Sequence, residues 1–184
     1  FLEANNILIT KHVSTCLLTG LCFDTNMFSN SATNERALST ASQLILYGAR
    51  VQDVIRTMFL NRSIGALKVW GSALERLTHH AEIRVMTTVL TRQDIETHHV
   101  TDDEIDGLSN FLNLVADTDT LFVFRETKEG GIKVSIRSRT QDVSKIASAH
   151  GGGGHAKAAG FTLLNTYLVE KDSVWCLSKE HEIH

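Results

Sequence analysis

The chain has 184 residues, 42% of them hydrophobic and 21% charged, with a formal net charge of −3. This is the composition of an ordinary globular protein. No apolar stretch is long enough to span a bilayer, and no strong positive field draws nucleic acid to the whole surface. Cys16, Cys22 and Cys176 show no framework spacing and suit a reducing cytoplasm, and proline is absent.

In chain order, residues 1–14 read as helix, with Phe1 to Ala4 mid-helix rather than at a capped start. Leu17, Leu18, Leu21, Cys22 and Phe23 are a mostly apolar run, predicting a buried parallel strand over 16–23 that ends at Asp24. A polar loop follows over 25–33. Ala37, Leu38, Ala41, Leu44 and Ile45 mark a helix stopping at Gly48, and Val51, Val54, Ile55, Met58 and Phe59 a second, ending near Asn61. Leu67, Trp70, Leu74 and Leu77 predict a core-facing helical stripe. Ile83 to Leu90 reads as a strand. Asp102 or Asp103 starts a helix through Leu108, Leu112 and Val115. Thr120 to Arg125 is an apolar strand, and Glu126 to Gly131 a hairpin turn. The pattern implies an α/β fold with a mixed sheet.

The second strand of that hairpin reads GIKVSIRSR, residues 131–139. Ile132, Val134 and Ile136 point one way; Lys133, Ser135, Arg137 and Arg139 point the other. Asp142 caps a short helix carrying Val143, Ile146 and Ala147, which stops at His150 and Gly151. Then comes GGGGHAKAAG, Gly151 to Gly160. Consecutive glycines bare their backbone N–H groups, and His155 and Lys157 follow at once, which suits an oxyanion cradle. A flexible hinge is the alternative for the glycines, and a solvated strand face the alternative for Arg137 and Arg139. Lys133, Arg137, Arg139, Lys145 and Lys157 form the local basic cluster. His79-His80 and His98-His99 read as solvated helix-end or loop residues, and His181 and His184 as tail.

The stretch KVSIRSRTQDVSKIASAHGGGGHAKAAG resembles the DHH-associated C-terminal domain of the DHH phosphoesterase family, in its nanoRNase and pAp-phosphatase branch. Ser135, Arg137 and Ser138 match that branch's S-x-R-S element. Gly152, Gly153, Gly154, His155, Ala158, Ala159 and Gly160 match its GGGH-x-x-A-A-G. The segment LTGLCFDTNMF, residues 18–28, resembles the family's strand ending in Asp-Thr-Gly-x-Phe, with Asn26 in place of glycine. Asparagine also tolerates left-handed backbone. Read without the resemblance, Asp24 is a cap or turn residue.

The resemblance implies a remnant of a parallel-sheet metal-binding domain over 1–48, a linker helix over 49–63 and a mixed-sheet substrate-binding domain over 64–184. It implies hydrolysis of short oligonucleotides or 3′-phosphoadenosine 5′-phosphate in the intact enzyme, with two manganese ions. Asp24 is the one implied metal ligand here, and no DHH triplet precedes it. The chain alone is therefore expected to be inactive, the C-terminal part of a two-domain cytoplasmic hydrolase. The implied substrate-binding residues are Ser135, Arg137, Ser138, Gly152, Gly153, Gly154 and His155. Two alternatives stay open: a non-catalytic RNA- or single-stranded-DNA-binding module, as in the similar glycine-rich domain of alanyl-tRNA synthetases, and a cyclic-dinucleotide phosphodiesterase. A homodimer is open as the assembly.

Overall fold

A computed structural model describes residues 5, 7–30, 32–60 and 62–179. Phe1 to Ala4, Asn6, Asn61, His181 and His184 lie outside the described residues. The chain divides into two compact units, Phe1–Arg62 and Ser63–His184.

In the first unit, the Thr10 hydroxyl accepts from the Val13 N–H and starts α1 (Lys11–Asp24). Ser14, Leu18 and Cys22 are buried along one face. The strand expected over 16–23 is therefore a helix. Leu17, Leu18, Leu21 and Cys22 recur at i, i+1, i+4 and i+5, a 3.6-residue period that an apolar run disguises. Of the helix expected over 1–14, residues 7–10 are not helical, and α1 begins at Lys11. Asn34 caps α2 (Glu35–Leu46), and the chain turns at Gly48, φ +89°. α3 (Val51–Ile55) continues as a π-helical turn, Arg56–Leu60. Leu18, Cys22, Ala41, Leu44, Ala49 and Val54 form the core of this unit. Among its described residues the unit contains no strand.

The second unit is mixed α/β. Ser63 caps α4 (Ile64–Glu75) by accepting from the Ala66 N–H at 3.1 Å. Its buried stripe is Ala66, Val69 and Ala73; Leu67 and Leu74 are exposed, correcting the expected stripe by one position. Small residues let α4 approach the sheet closely, and Trp70 and Leu77 pack at the margin. Next come β1 (Thr78–His80), a 3-10 turn (Ala81–Ile83) and β2 (Val85–Leu90). The His79-His80 pair thus lies in a short edge strand rather than a loop or helix end. α5 (Arg92–Thr97) and α6 (Asp102–Ile105) both open with capping boxes, Thr91/Asp94 and Thr101/Glu104. The single helix expected from Asp102 to Val115 is broken at Gly107, φ +97°, giving α6 and α7 (Leu108–Val115).

β3 (Thr120–Glu126) and β4 (Gly131–Ser138) form the expected hairpin, and α8 (Ser144–Ala149), β5 (Gly153–His155) and β6 (Ala158–Leu164) follow. The sheet order is β1-β2-β3-β4-β6-β5, with β2–β3 its one parallel pair. β7 (Thr166–Lys171) and β8 (Val174–Lys179) make a separate hairpin. One face of the main sheet buries Leu90, Leu121 and Val123 under α4 to α7, with Ile95, Leu108 and Leu112. The other buries Ile132, Val134, Ile136 and Ala159 under α8, with Val143 and Ala147. Glu126 ties two elements to the end of β3, accepting from the Arg92 N–H at 2.7 Å and the Leu168 N–H at 3.1 Å.

Candidate functional site

Strand register brings four of the predicted residues, Ser135, Arg137, Gly153 and His155, onto one face. Arg137 lies opposite Ala158 of β6, and Ala158 opposite His155 of β5. Ser135 lies opposite Gly160, and Gly160 opposite Gly153. Directly opposed residues project to the same face. The result is two parallel rows, Arg137–Ala158–His155 and Ser135–Gly160–Gly153. Each row has polar side chains at β4 and almost nothing standing on β6. β4 and β5 are two strand spacings apart, about 10 Å. A flat shelf of small residues is thus walled by Arg137 and Ser135 on one side and, in the first row, by the exposed His155 on the other. Lys133 continues the β4 wall and is exposed.

The four glycines have separate jobs. Gly151, φ +76°, ends α8. The Gly151 and Gly152 N–H groups donate to the Ser148 and Ala147 carbonyls at 3.1 and 2.8 Å, so the Gly152 amide is committed to closing the helix. A Cβ at Gly152 would strike the Gly160 carbonyl and Phe161, and one at Gly154 the Ala158 carbonyl; one at Gly153 meets nothing within 4 Å. Gly152 and Gly154 permit close strand approach, while Gly153 leaves the shelf bare. Gly153–His155 form an edge strand rather than a slack hinge, and an edge strand keeps outward N–H groups unpaired by any neighbouring strand.

Arg137 is held at two corners. Its Nε donates to Asn110 Oδ1 of α7 at 2.8 Å and its Nη1 to the Ile136 carbonyl at 2.9 Å. Burial lowers its pKa from the ordinary arginine value, yet a guanidinium stays charged at neutral pH. Arg139 donates from Nη2 to the Asn113 and Ala116 carbonyls at 2.8 and 3.0 Å, capping the C-terminus of α7. Lys157 Nζ donates to the Thr140 carbonyl at 2.8 Å. Ser138 is 2% exposed. Its hydroxyl lies 3.0 Å from Thr120 Oγ1, donates to the Asp119 carbonyl at 3.0 Å, and accepts from the Gln141 N–H at 2.9 Å. It organises the turn after β4 instead of facing the shelf, which corrects its assignment to substrate. Asn110 was illegible in the sequence, a lone asparagine 27 residues from its arginine. His150, stacked on Phe161 at 4.6 Å, was equally hidden.

In the first unit Asp24 is the last residue of α1 and exposed. A carboxylate there opposes the helix dipole, and no basic residue lies in that turn. Asn30 Nδ2 donates to the Asp24 carbonyl at 2.8 Å. Asn26 takes the left-handed conformation anticipated for it, φ +46°, and Met27 and Phe28 share it at +54° and +61°. Among the described residues no three His, Cys, Asp or Glu side chains converge on a metal position. A manganese pair does not fit the described residues by themselves.

The DHHA1 domain family model matches residues 74–180, and the chain belongs to that family. The bifunctional oligoribonuclease and PAP phosphatase NrnA of Thermus thermophilus is 32% identical over 156 residues, 84% of this chain and 46% of that protein. The NrnA of Mycoplasma genitalium is 28% identical over 167 residues, 90% of this chain and 51% of that protein. The chain spans about half the length of the curated relatives it matches. An exopolyphosphatase-related protein from Bacteroides fragilis shares the fold, with a TM-score of 0.75 and 24% identity over 83% of this chain and 45% of its own.

Proposed function

We propose that this chain is the substrate-binding part of a manganese-dependent phosphoesterase that hydrolyses short oligonucleotides or 3′-phosphoadenosine 5′-phosphate. The observation that supports it is the bare shelf between Arg137 and His155. A phosphate placed there meets a planar guanidinium fork from one wall and an imidazole from the other, and the outward amides of β5 lie at the far rim. Ser135 adds a hydroxyl. The small residues at Ala158, Gly160 and Gly153 let the anion approach the sheet closely. The names of the NrnA relatives agree with a nucleotide substrate.

In this reading residues 1–48 are the end of a metal-binding domain, 49–63 join it to the rest, and 64–184 bind substrate. Asp24 is one metal ligand, and the others lie outside this chain. The shelf binds and orients; it moves no proton, and the chain alone does not hydrolyse nucleotides. The cysteines, all free thiols, agree with a cytoplasmic location. Among the described residues no helix is long and apolar enough to cross a membrane.

The test is a titration of the 184-residue chain with 3′-phosphoadenosine 5′-phosphate, followed through backbone amide chemical shifts. Gly153, Gly154 and His155 should move, with a dissociation constant of about 1 mM, equivalent to about 4 kcal/mol. Arg137→Ala should weaken binding. Shifts confined to other parts of the chain would refute the site. Preference for long RNA over the mononucleotide would favour a nucleic-acid module, and preference for a cyclic dinucleotide the other hydrolase class. Robust manganese-dependent turnover by this chain would refute the division of labour.

A further inference from the structure

The geometry points to Asn110 as the positioning residue for Arg137: its side-chain carbonyl holds the guanidinium so that the remaining fork faces the shelf. This rests on the substrate-shelf reading above. An arginine on a strand face has a long, flexible side chain and five N–H donors. Here the Nε corner is tied to Asn110 at 2.8 Å and the Nη1 corner to the Ile136 carbonyl at 2.9 Å. Two fixed corners define the guanidinium plane. Nη2 takes no hydrogen bond among the described residues, so it is the corner left for a ligand. Fixing the fork before the anion arrives removes the ordering that binding would otherwise require.

The chemistry of the partner supports that role. Asparagine offers a neutral acceptor. A carboxylate at position 110 would hold Nε as well, but it would offset the guanidinium charge that attracts phosphate. Nor is Asn110 needed to seat α7. That helix is anchored by Leu108 and Leu112, 2% and 0% exposed, and its C-terminal carbonyls are held by Arg139. Asn110 itself is exposed, and alanine is the better helix former, so Asn110→Ala keeps the fold.

The experiment is a double-mutant cycle on the full 184-residue chain, using 3′-phosphoadenosine 5′-phosphate as probe, with hydrogen exchange of the Arg137 Nε–H as a second readout. Asn110→Ala should weaken binding about fivefold, the worth of one hydrogen bond of ordinary strength. On an Arg137→Ala background it should change affinity by less than about twofold, because the two residues act as one unit. The Nε–H should be protected in the free wild-type chain and exchange rapidly in Asn110→Ala. Unchanged affinity in Asn110→Ala, with Arg137→Ala still weakened, would overturn the positioning role and leave the shelf standing. Additive losses would also overturn it, by making Asn110 a direct contact. No loss in Arg137→Ala would overturn the shelf itself and this inference with it.

Discussion

A methyl group added at Gly153 meets nothing within 4 Å, whereas at Gly154 it falls 2.5 Å from the Ala158 carbonyl oxygen, on backbone with φ +140°. At Gly152 the same methyl strikes the Gly160 carbonyl and Phe161. Alanine substitution along this run should therefore divide folding from binding. Gly153→Ala removes backbone freedom from the unfolded chain and should stabilise by about 0.4–1 kcal/mol. That corresponds to a melting temperature higher by roughly 1–4 °C for a chain of this size. Gly154→Ala forces overpacking and a disfavoured backbone conformation, and should destabilise by about 2–4 kcal/mol. Gly152→Ala should behave like Gly154→Ala, through overpacking alone. Binding runs the other way. Gly153 shares its row and face with Ser135, so its new methyl stands on the shelf, and nucleotide affinity should fall about tenfold, or about 1.4 kcal/mol. Thermal unfolding and nucleotide titration of the three variants provide the check. If Gly153→Ala is as damaging to stability as the other two, the placement of β5 is wrong. If it is stable and binds normally, the shelf is not the site.

Two further outcomes follow from the same structure. Asn26→Gly relieves a left-handed asparagine at φ +46° and should stabilise the first unit by about 0.5–1 kcal/mol in denaturant unfolding; destabilisation would show that the asparagine side chain is needed there. At Asp94, burial pushes the carboxyl up, but hydrogen bonds from Arg76 and Thr91 outweigh it and hold the group below its ordinary value. Its contribution to stability is then complete above the ordinary carboxylate pKa and lost as pH falls through the lowered one. Asp94→Asn should cost about 2 kcal/mol at neutral pH and flatten the acid limb of the stability profile; an unchanged limb would remove Asp94 from that role.

The polar face of β4 was legible because its signals are local. Alternation in residues 131–139 fixes which side chains share a face, and Gly151 marks the end of α8. In the first unit Leu17, Leu18, Leu21 and Cys22 fall in an apolar run that suits a buried strand and a helix equally. The cap at Thr10 distinguishes them, and a cap is a single side chain contact. α4 shifted by one position because its small residues, not its leucines, face the sheet. Ser138 fits the family motif by sequence, yet only the fold shows its hydroxyl turned inward. Asn110 and the β7–β8 hairpin depend on long-range packing that no short window of sequence contains.

The lone parallel pair in the sheet has a consequence for the order in which the domain assembles. β3 and β4 are joined by a four-residue turn at 127–130, so their pairing closes locally, on the microsecond scale of hairpins. β2 and β3 can pair only after residues 91–119 have crossed over, bringing α5, α6 and α7 with them. The strand that forms the Arg137 wall of the shelf therefore belongs to the early half of the sheet, and the helix that supplies Asn110 arrives with the late half. A nascent chain displays Arg137 before anything is in place to aim it.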